Sequence, residues 1–148
     1  MDYLMKEKAV YKKNNILKKS ISKDHFIVDS QEEYAGCHIL LDLWDAKFNN
    51  SINTLRKILK ETIKISGATL IHMHFHRFGK EQGISGVAVL AESHISVHTW
   101  PERNYIAFDI FMCGDTSPEL GAEHLTKTFS PKKKVVKIIK RGVKKLVK

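Results

Sequence analysis

Between Glu92 and Trp100 the chain runs Glu-Ser-His-Ile-Ser-Val-His-Thr-Trp, and Cys113, one of only two cysteines, follows twenty residues after Ser93. A serine and a histidine four or five residues apart carry no signal by themselves. The denser order of Glu92, Ser93, His94, Ser96, His98, Thr99 and Trp100, completed by Cys113-Gly114, does. The chemistry it supports begins with the Ser93 hydroxyl attacking the carbonyl of Glu92, which converts the peptide bond into an ester. That step needs a strained local backbone and donors for the oxyanion. A base must next take the α-proton of the esterified serine so that the ester leaves by elimination; water then turns the dehydroalanine into a pyruvoyl group. His98 is the candidate base, because neutral imidazole titrates near physiological pH. The new carbonyl forms a Schiff base with a substrate amine and takes up the electrons released as carbon dioxide departs. Cys113, a thiol of tunable pKa, then returns a proton to carbon. No step calls for a metal.

These residues need a scaffold, and hydrophobic periodicity outlines one. Residues 37–44 form a mostly apolar run bounded by Gly36 and Asn49-Asn50, which suits a buried strand. Ile52, Leu55, Leu59 and Ile63 fall on one helical face, with Asn50 or Ser51 as N-cap and Gly67 as the stop. In residues 69–76, Ile71, Met73 and Phe75 alternate with His72, His74 and His76. Residues 105–113 split the same way, with Ile106, Phe108, Ile110 and Met112 opposite Tyr105, Ala107, Asp109, Phe111 and Cys113. Residues 86–91 and 95–99 read as two extended runs that meet at Glu92-Ser93-His94, so Ser93 belongs at a strand junction. Ser117, Pro118 and Glu119 open a second helix reaching about Phe129; Pro131 ends it, and residues 134–140 give a last strand. The pattern predicts a sheet covered by helices on one side. Its other side, mixed polar and aromatic, is left for a site or a subunit interface. Three same-face histidines on one strand do not complete a tetrahedral metal site without ligands from elsewhere, so none is assigned.

Composition sets the outer bounds. A chain of 148 residues, 43% hydrophobic, holds one core of ordinary size. Residues 1–35 alternate lysines with short apolar groups and carry no sustained period. They read as a lysine-rich extension ahead of a domain spanning 36–148. No apolar run is long enough to span a bilayer, and no secretory signal opens the chain, so a soluble, cytoplasmic protein with both cysteines as thiols is expected. Of the net charge of +9, most sits in residues 127–148, which contain no acid. Lysines so placed suit a solvated strand edge that resists aggregation, and nucleic acid is not the expected partner.

From Gly36 to Gly142 the sequence resembles the short prokaryotic S-adenosylmethionine decarboxylases. The resemblance rests on Gly36-Cys37-His38, Phe75-His76-Arg77-Phe78, Gly83-Ile84-Ser85-Gly86, residues 91–102, Asp109-Ile110-Phe111-Met112-Cys113-Gly114 and Glu123-His124-Leu125. It implies self-cleavage between Glu92 and Ser93 and a pyruvate cofactor, the pyruvoyl group formed from Ser93. His98 would be the proton acceptor in processing, Ser85 would assist it, and Cys113 would be the proton donor in decarboxylation. Phe78 would stack on the adenine and Glu102 would bind the ribose hydroxyls of the small-molecule substrate. The product would be the aminopropyl donor for spermidine synthesis. The implied fold is an α/β sandwich of the α+β type, two layers with a mostly antiparallel sheet. Its cleaved halves stay together and pair through the sheets as a homodimer. One departure stands out: Gly79-Lys80-Glu81-Gln82, between Phe78 and Gly83, is longer than the family's usual loop and lacks its proline. That loop motivates an alternative, the same pyruvoyl chemistry on arginine or ornithine. A non-catalytic basic nucleic-acid-binding protein is the alternative from another class.

Overall fold

A computed structural model of the chain describes residues 20–21 and 23–146. Three short strands, β1 (Ser20–Ile21), β2 (Ile27–Val28) and β3 (Glu32–Tyr34), precede the first long strand, β4 (Gly36–Trp44). Then come α1 (Ile52–Ile65), β5 (Leu70–Arg77), β6 (Ile84–Leu90), β7 (Ser93–Trp100), a 3-10 turn (Pro101–Arg103) and β8 (Tyr105–Met112). The chain finishes with α2 (Pro118–Phe129), β9 (Lys133–Arg141) and β10 (Lys144–Lys145). Strands β5-β6-β7-β8-β4-β9 form one fully antiparallel sheet, and β1-β2-β3-β10 form a smaller one.

Alternation along the strands decides what each face does. Ile39, Leu41 and Leu43 of β4, Ile106, Phe108 and Ile110 of β8, and Ile95 and Val97 of β7 are all buried. Leu55, Leu59 and Ile63 of α1 and Ala122, Leu125 and Phe129 of α2 close over them. This is a two-layer α+β sandwich whose core lies between the helices and one face of the large sheet. Ser51 caps α1 by accepting the Thr54 N–H at 3.3 Å, and the left-handed Gly67 (φ +73°) follows its last turn. Pro118 sits in the first turn of α2. The two helices meet at Gly121, where a methyl group would lie 2.5 Å from the Ser66 hydroxyl and 3.2 Å from a Thr62 methyl carbon.

The small sheet organises part of the segment that showed no period in the sequence. Asp29 Oδ1 accepts the N–H groups of Gln31 and Glu32, both at 2.9 Å, and folds β2 and β3 into a hairpin. Lys140 of β9 reaches both Asp29 and Glu32, and its ammonium stands 4.6 Å from the ring centre of the buried Tyr34. Burial pushes the Tyr34 phenol up to about 12. The lysine-rich β9 is an edge of the large sheet. Residues 1–19 of the lysine-rich extension lie outside the described residues, and among the described residues no helix is long and apolar enough to cross a membrane.

Candidate active site

Strands β6 and β7 pair with Leu90 opposite Ser93, which leaves only Ala91 and Glu92 to turn the chain. Two-residue hairpin loops favour turn types that need positive φ at a loop residue, a conformation suited to glycine, asparagine or aspartate. Ala91 and Glu92 do not adopt it; the distortion falls on Ser93, with φ +154°. Such a backbone is sparsely populated by L-residues and stores about 1–3 kcal/mol. The turn is held from both sides. Ala91 N–H donates to the Thr69 carbonyl at 2.9 Å, and the Glu92 carboxylate accepts the Thr69 N–H at 2.9 Å. Across the sheet Ser93 pairs with Met112, so Cys113 arrives opposite Glu92.

There the Glu92 carbonyl oxygen accepts two hydrogen bonds from one residue, the Cys113 N–H at 3.1 Å and the Cys113 thiol at 2.9 Å. This is the carbonyl that the Ser93 hydroxyl would attack, and two donors already aimed at it are the arrangement that stabilises a developing oxyanion. Burial, followed by the charge of Glu92, pushes the Cys113 thiol above its ordinary pKa. A thiol held protonated can both donate to the oxyanion and later deliver a proton. No disulfide joins Cys37 and Cys113. The sequence pointed to Cys113 as a proton donor; its double contact with the Glu92 carbonyl was not anticipated, although a hairpin turning at 101–104 predicts that register.

The other candidate residues gather elsewhere. Ser85 and His98 face each other across β6 and β7, with Ser85 Oγ 2.7 Å from His98 Nδ1. His98 is five residues along β7 from Ser93, about 17 Å in an extended strand. Within one chain His98 therefore does not reach the Ser93 α-carbon. Phe78, 64% exposed, follows the end of β5 and packs edge-on to His76 at 5.0 Å between ring centres. Glu102 lies exposed in the 3-10 turn after β7. Both belong to the end of the sheet away from Ser93. That end also carries a stack of rings on the helix-free face, Trp44 on Tyr105 at 4.3 Å and Tyr105 on Trp100 at 5.1 Å. Burial and then Asp42, which accepts the Tyr105 hydroxyl at 2.6 Å, hold that phenol protonated up to about 12.

The long loop after Phe78 is pinned. Asn50 donates to the Gln82 carbonyl at 2.9 Å and accepts from Thr99, while Arg77 donates to the Asn50 carbonyl at 2.6 Å. His72, His74 and His76 are exposed along β5. Among the described residues no three histidine, cysteine or acidic side chains converge on a metal position.

The fold is the two-layer α+β sandwich of a solved adenosylmethionine decarboxylase. Residues 37–142 match the family model for S-adenosylmethionine decarboxylase, and the chain belongs to that family. An S-adenosylmethionine decarboxylase proenzyme of Methanococcus maripaludis is 44% identical over 111 residues, 73% of this chain and 90% of its own. One of Acetivibrio thermocellus is 40% identical over 111 residues, with 73% and 89% covered. The crystal structure of the adenosylmethionine decarboxylase of Aquifex aeolicus superposes with a TM-score of 0.69 at 31% identity, covering 78% of this chain and 94% of that one. These relatives lend no support to arginine or ornithine as substrate, or to a nucleic-acid-binding role.

Proposed function

We propose that this chain is a proenzyme that cuts itself between Glu92 and Ser93, forms a pyruvoyl group from Ser93, and then decarboxylates S-adenosylmethionine. The observation that carries the reading is the Glu92 carbonyl under the two donors of Cys113, next to a serine with strained backbone. Ser93 Oγ attacks that carbonyl, and the Cys113 N–H and thiol take the charge that develops on its oxygen. Relief of the Ser93 backbone drives the step forward. The pyruvoyl group supplies a carbonyl that captures the substrate amine and withdraws the electron pair left by carbon dioxide. Cys113, kept protonated by burial, stands beside position 93 to hand a proton to the substrate carbon.

The Ser85-His98 pair, Phe78 and Glu102 serve this site from a second copy. They cluster at the sheet end away from Ser93, whereas processing and substrate binding need them beside it. A two-fold pairing of the helix-free sheet faces lays one protomer's His98 end over its partner's Ser93 end. The exposed Trp44 and Trp100 supply apolar area for the contact. His98, with Ser85 on its Nδ1, then takes the Ser93 α-proton.

The test is release of carbon dioxide from carboxyl-labelled S-adenosylmethionine, with arginine and ornithine as competitors and Ser93→Ala as the blank. Release from S-adenosylmethionine alone, abolished in Ser93→Ala, is the expected result. Equal release by Ser93→Ala refutes the proposal.

A further inference from the structure

The family match begins at Cys37, and the Methanococcus relative aligns to only 73% of this chain while nearly filling its own length. Residues before Gly36 are thus additional to what the family chemistry uses, yet part of them returns to the processing site. His25 adopts a left-handed backbone, φ +66°, uncommon outside glycine and not compensated by burial, since the residue is exposed. Its carbonyl accepts the Gly114 N–H at 3.2 Å. Its ring lies against the Gly114 α-carbon, so that a methyl group there would be 3.3 Å from His25 Nδ1. Gly114 is itself left-handed, φ +63°.

Two consecutive amides are therefore committed in different directions: Cys113 N–H to Glu92, Gly114 N–H to His25. The two amides flank the Cys113 α-carbon, so the His25 contact fixes the peptide that leaves this residue while the Glu92 contact fixes the one that enters it, and together they set the corner. The extension is firmly seated. Ile27 and Tyr34 are buried, Lys140 bridges Asp29 and Glu32, and Ala35 N–H donates to the Arg141 carbonyl at 2.8 Å.

We infer that the N-terminal extension supplies a positioning residue, His25, whose backbone clamps the Cys113-Gly114 corner and so holds both Cys113 donors on the scissile carbonyl. The inference rests on the self-cleavage reading, and its test separates the two. His25→Gly adopts the left-handed backbone without strain and keeps the carbonyl; His25→Val disfavours that backbone, and His25→Pro forbids it. The full-length chains are made by cell-free translation, and the appearance of fragments 1–92 and 93–148 is timed. Cleavage within about threefold of wild type is expected for Gly, with slower cleavage for Val and a roughly 10- to 100-fold loss for Pro, in line with the cost of small misplacements in a reacting geometry. Wild-type cleavage in both Val and Pro, or a Gly variant as slow as Pro, overturns the clamp.

Amide hydrogen exchange at Gly114, in the uncleavable Ser93→Ala background, reads the clamp independently of cleavage, with unchanged exchange in the core strands β4 and β8 as the check that the variant folds. Exchange at least about tenfold faster with Pro, and unchanged with Gly, is expected on loss of a hydrogen bond of ordinary strength. Unchanged exchange with Pro refutes the clamp even if cleavage slows. A wild-type chain that never cleaves refutes the self-cleavage reading instead, and leaves the exchange experiment to decide the clamp.

Discussion

Replacing Cys113 with alanine should slow self-cleavage as well as decarboxylation, because the thiol and the N–H of this residue share the Glu92 oxygen at 2.9 and 3.1 Å. An amide donor aimed at an oxyanion is worth about 10²–10³ in rate. A thiol is a weaker donor, and the backbone N–H survives every side-chain substitution. We therefore expect Cys113→Ala to process about 10- to 100-fold more slowly, which is ~1.4–2.7 kcal/mol of barrier. Cys113→Ser keeps a hydroxyl donor and should lie between the two. The assay is the time course of fragment formation after synthesis, followed by carbon dioxide release once cleavage has run to completion, where Cys113→Ala should remain poor. A pH profile adds a second check. The donor is the protonated thiol, and burial with the nearby Glu92 charge raises its pKa above the ordinary 9.0. Wild-type cleavage should hold through neutral pH and decline only above the usual thiol range, whereas Cys113→Ala should show no such decline. Cleavage of Cys113→Ala at the wild-type rate would refute the donor role.

Three further outcomes follow from the geometry. If the site is shared between copies, His98→Ala should fail to cleave alone but be cut when co-expressed with Ser93→Ala, which still offers a working His98; no rescue would place the base within one chain. Glu102→Gln, at the sheet end away from the scissile bond, should leave cleavage intact and raise KM for S-adenosylmethionine roughly tenfold or more, as removal of a charge-assisted hydrogen bond does; an unchanged KM argues against ribose contact. Burial acts to raise the Asp29 pKa, but the N–H groups of Gln31 and Glu32 and the Lys140 ammonium outweigh it, leaving the carboxyl below 3.8. Its contribution to holding the β2-β3 hairpin is thus full above the ordinary carboxylate pKa and lost as pH falls through the lowered one. Amide-exchange protection of residues 27–34, taken relative to the intrinsic rate at each pH, should fall in that acid window, and Asp29→Asn should remove this share of the pH dependence.

The large sheet and both helices were legible because strict alternation in residues 105–112 and helical spacing from Ile52 to Ile63 each admit one burial pattern. The small sheet was not. Its strands are two or three residues long, and pairing by Asp29 and Lys140 leaves no hydrophobic period to read. Around the site, the types and order of Ser93, His98 and Cys113 were visible in the sequence, but their grouping was not. Ser93 and Cys113 meet because β7 and β8 pair through a short turn; His98 and Ser85 meet because β6 and β7 do, at the far end of the same strands. Separation along the chain hides this, since His98 is nearer to Ser93 in sequence than Cys113 is, and farther from it in space. His25 gave no signal, because its contact is made by backbone in a conformation its residue type does not announce.

Mass analysis of the natively purified chain tests the central claim most directly. The account predicts two fragments, residues 1–92 and residues 93–148, the second beginning with a ketone-reactive pyruvoyl group in place of Ser93 and carrying no free amine there. A single chain of 17.0 kDa that persists under native conditions, with position 93 still a serine, would contradict it.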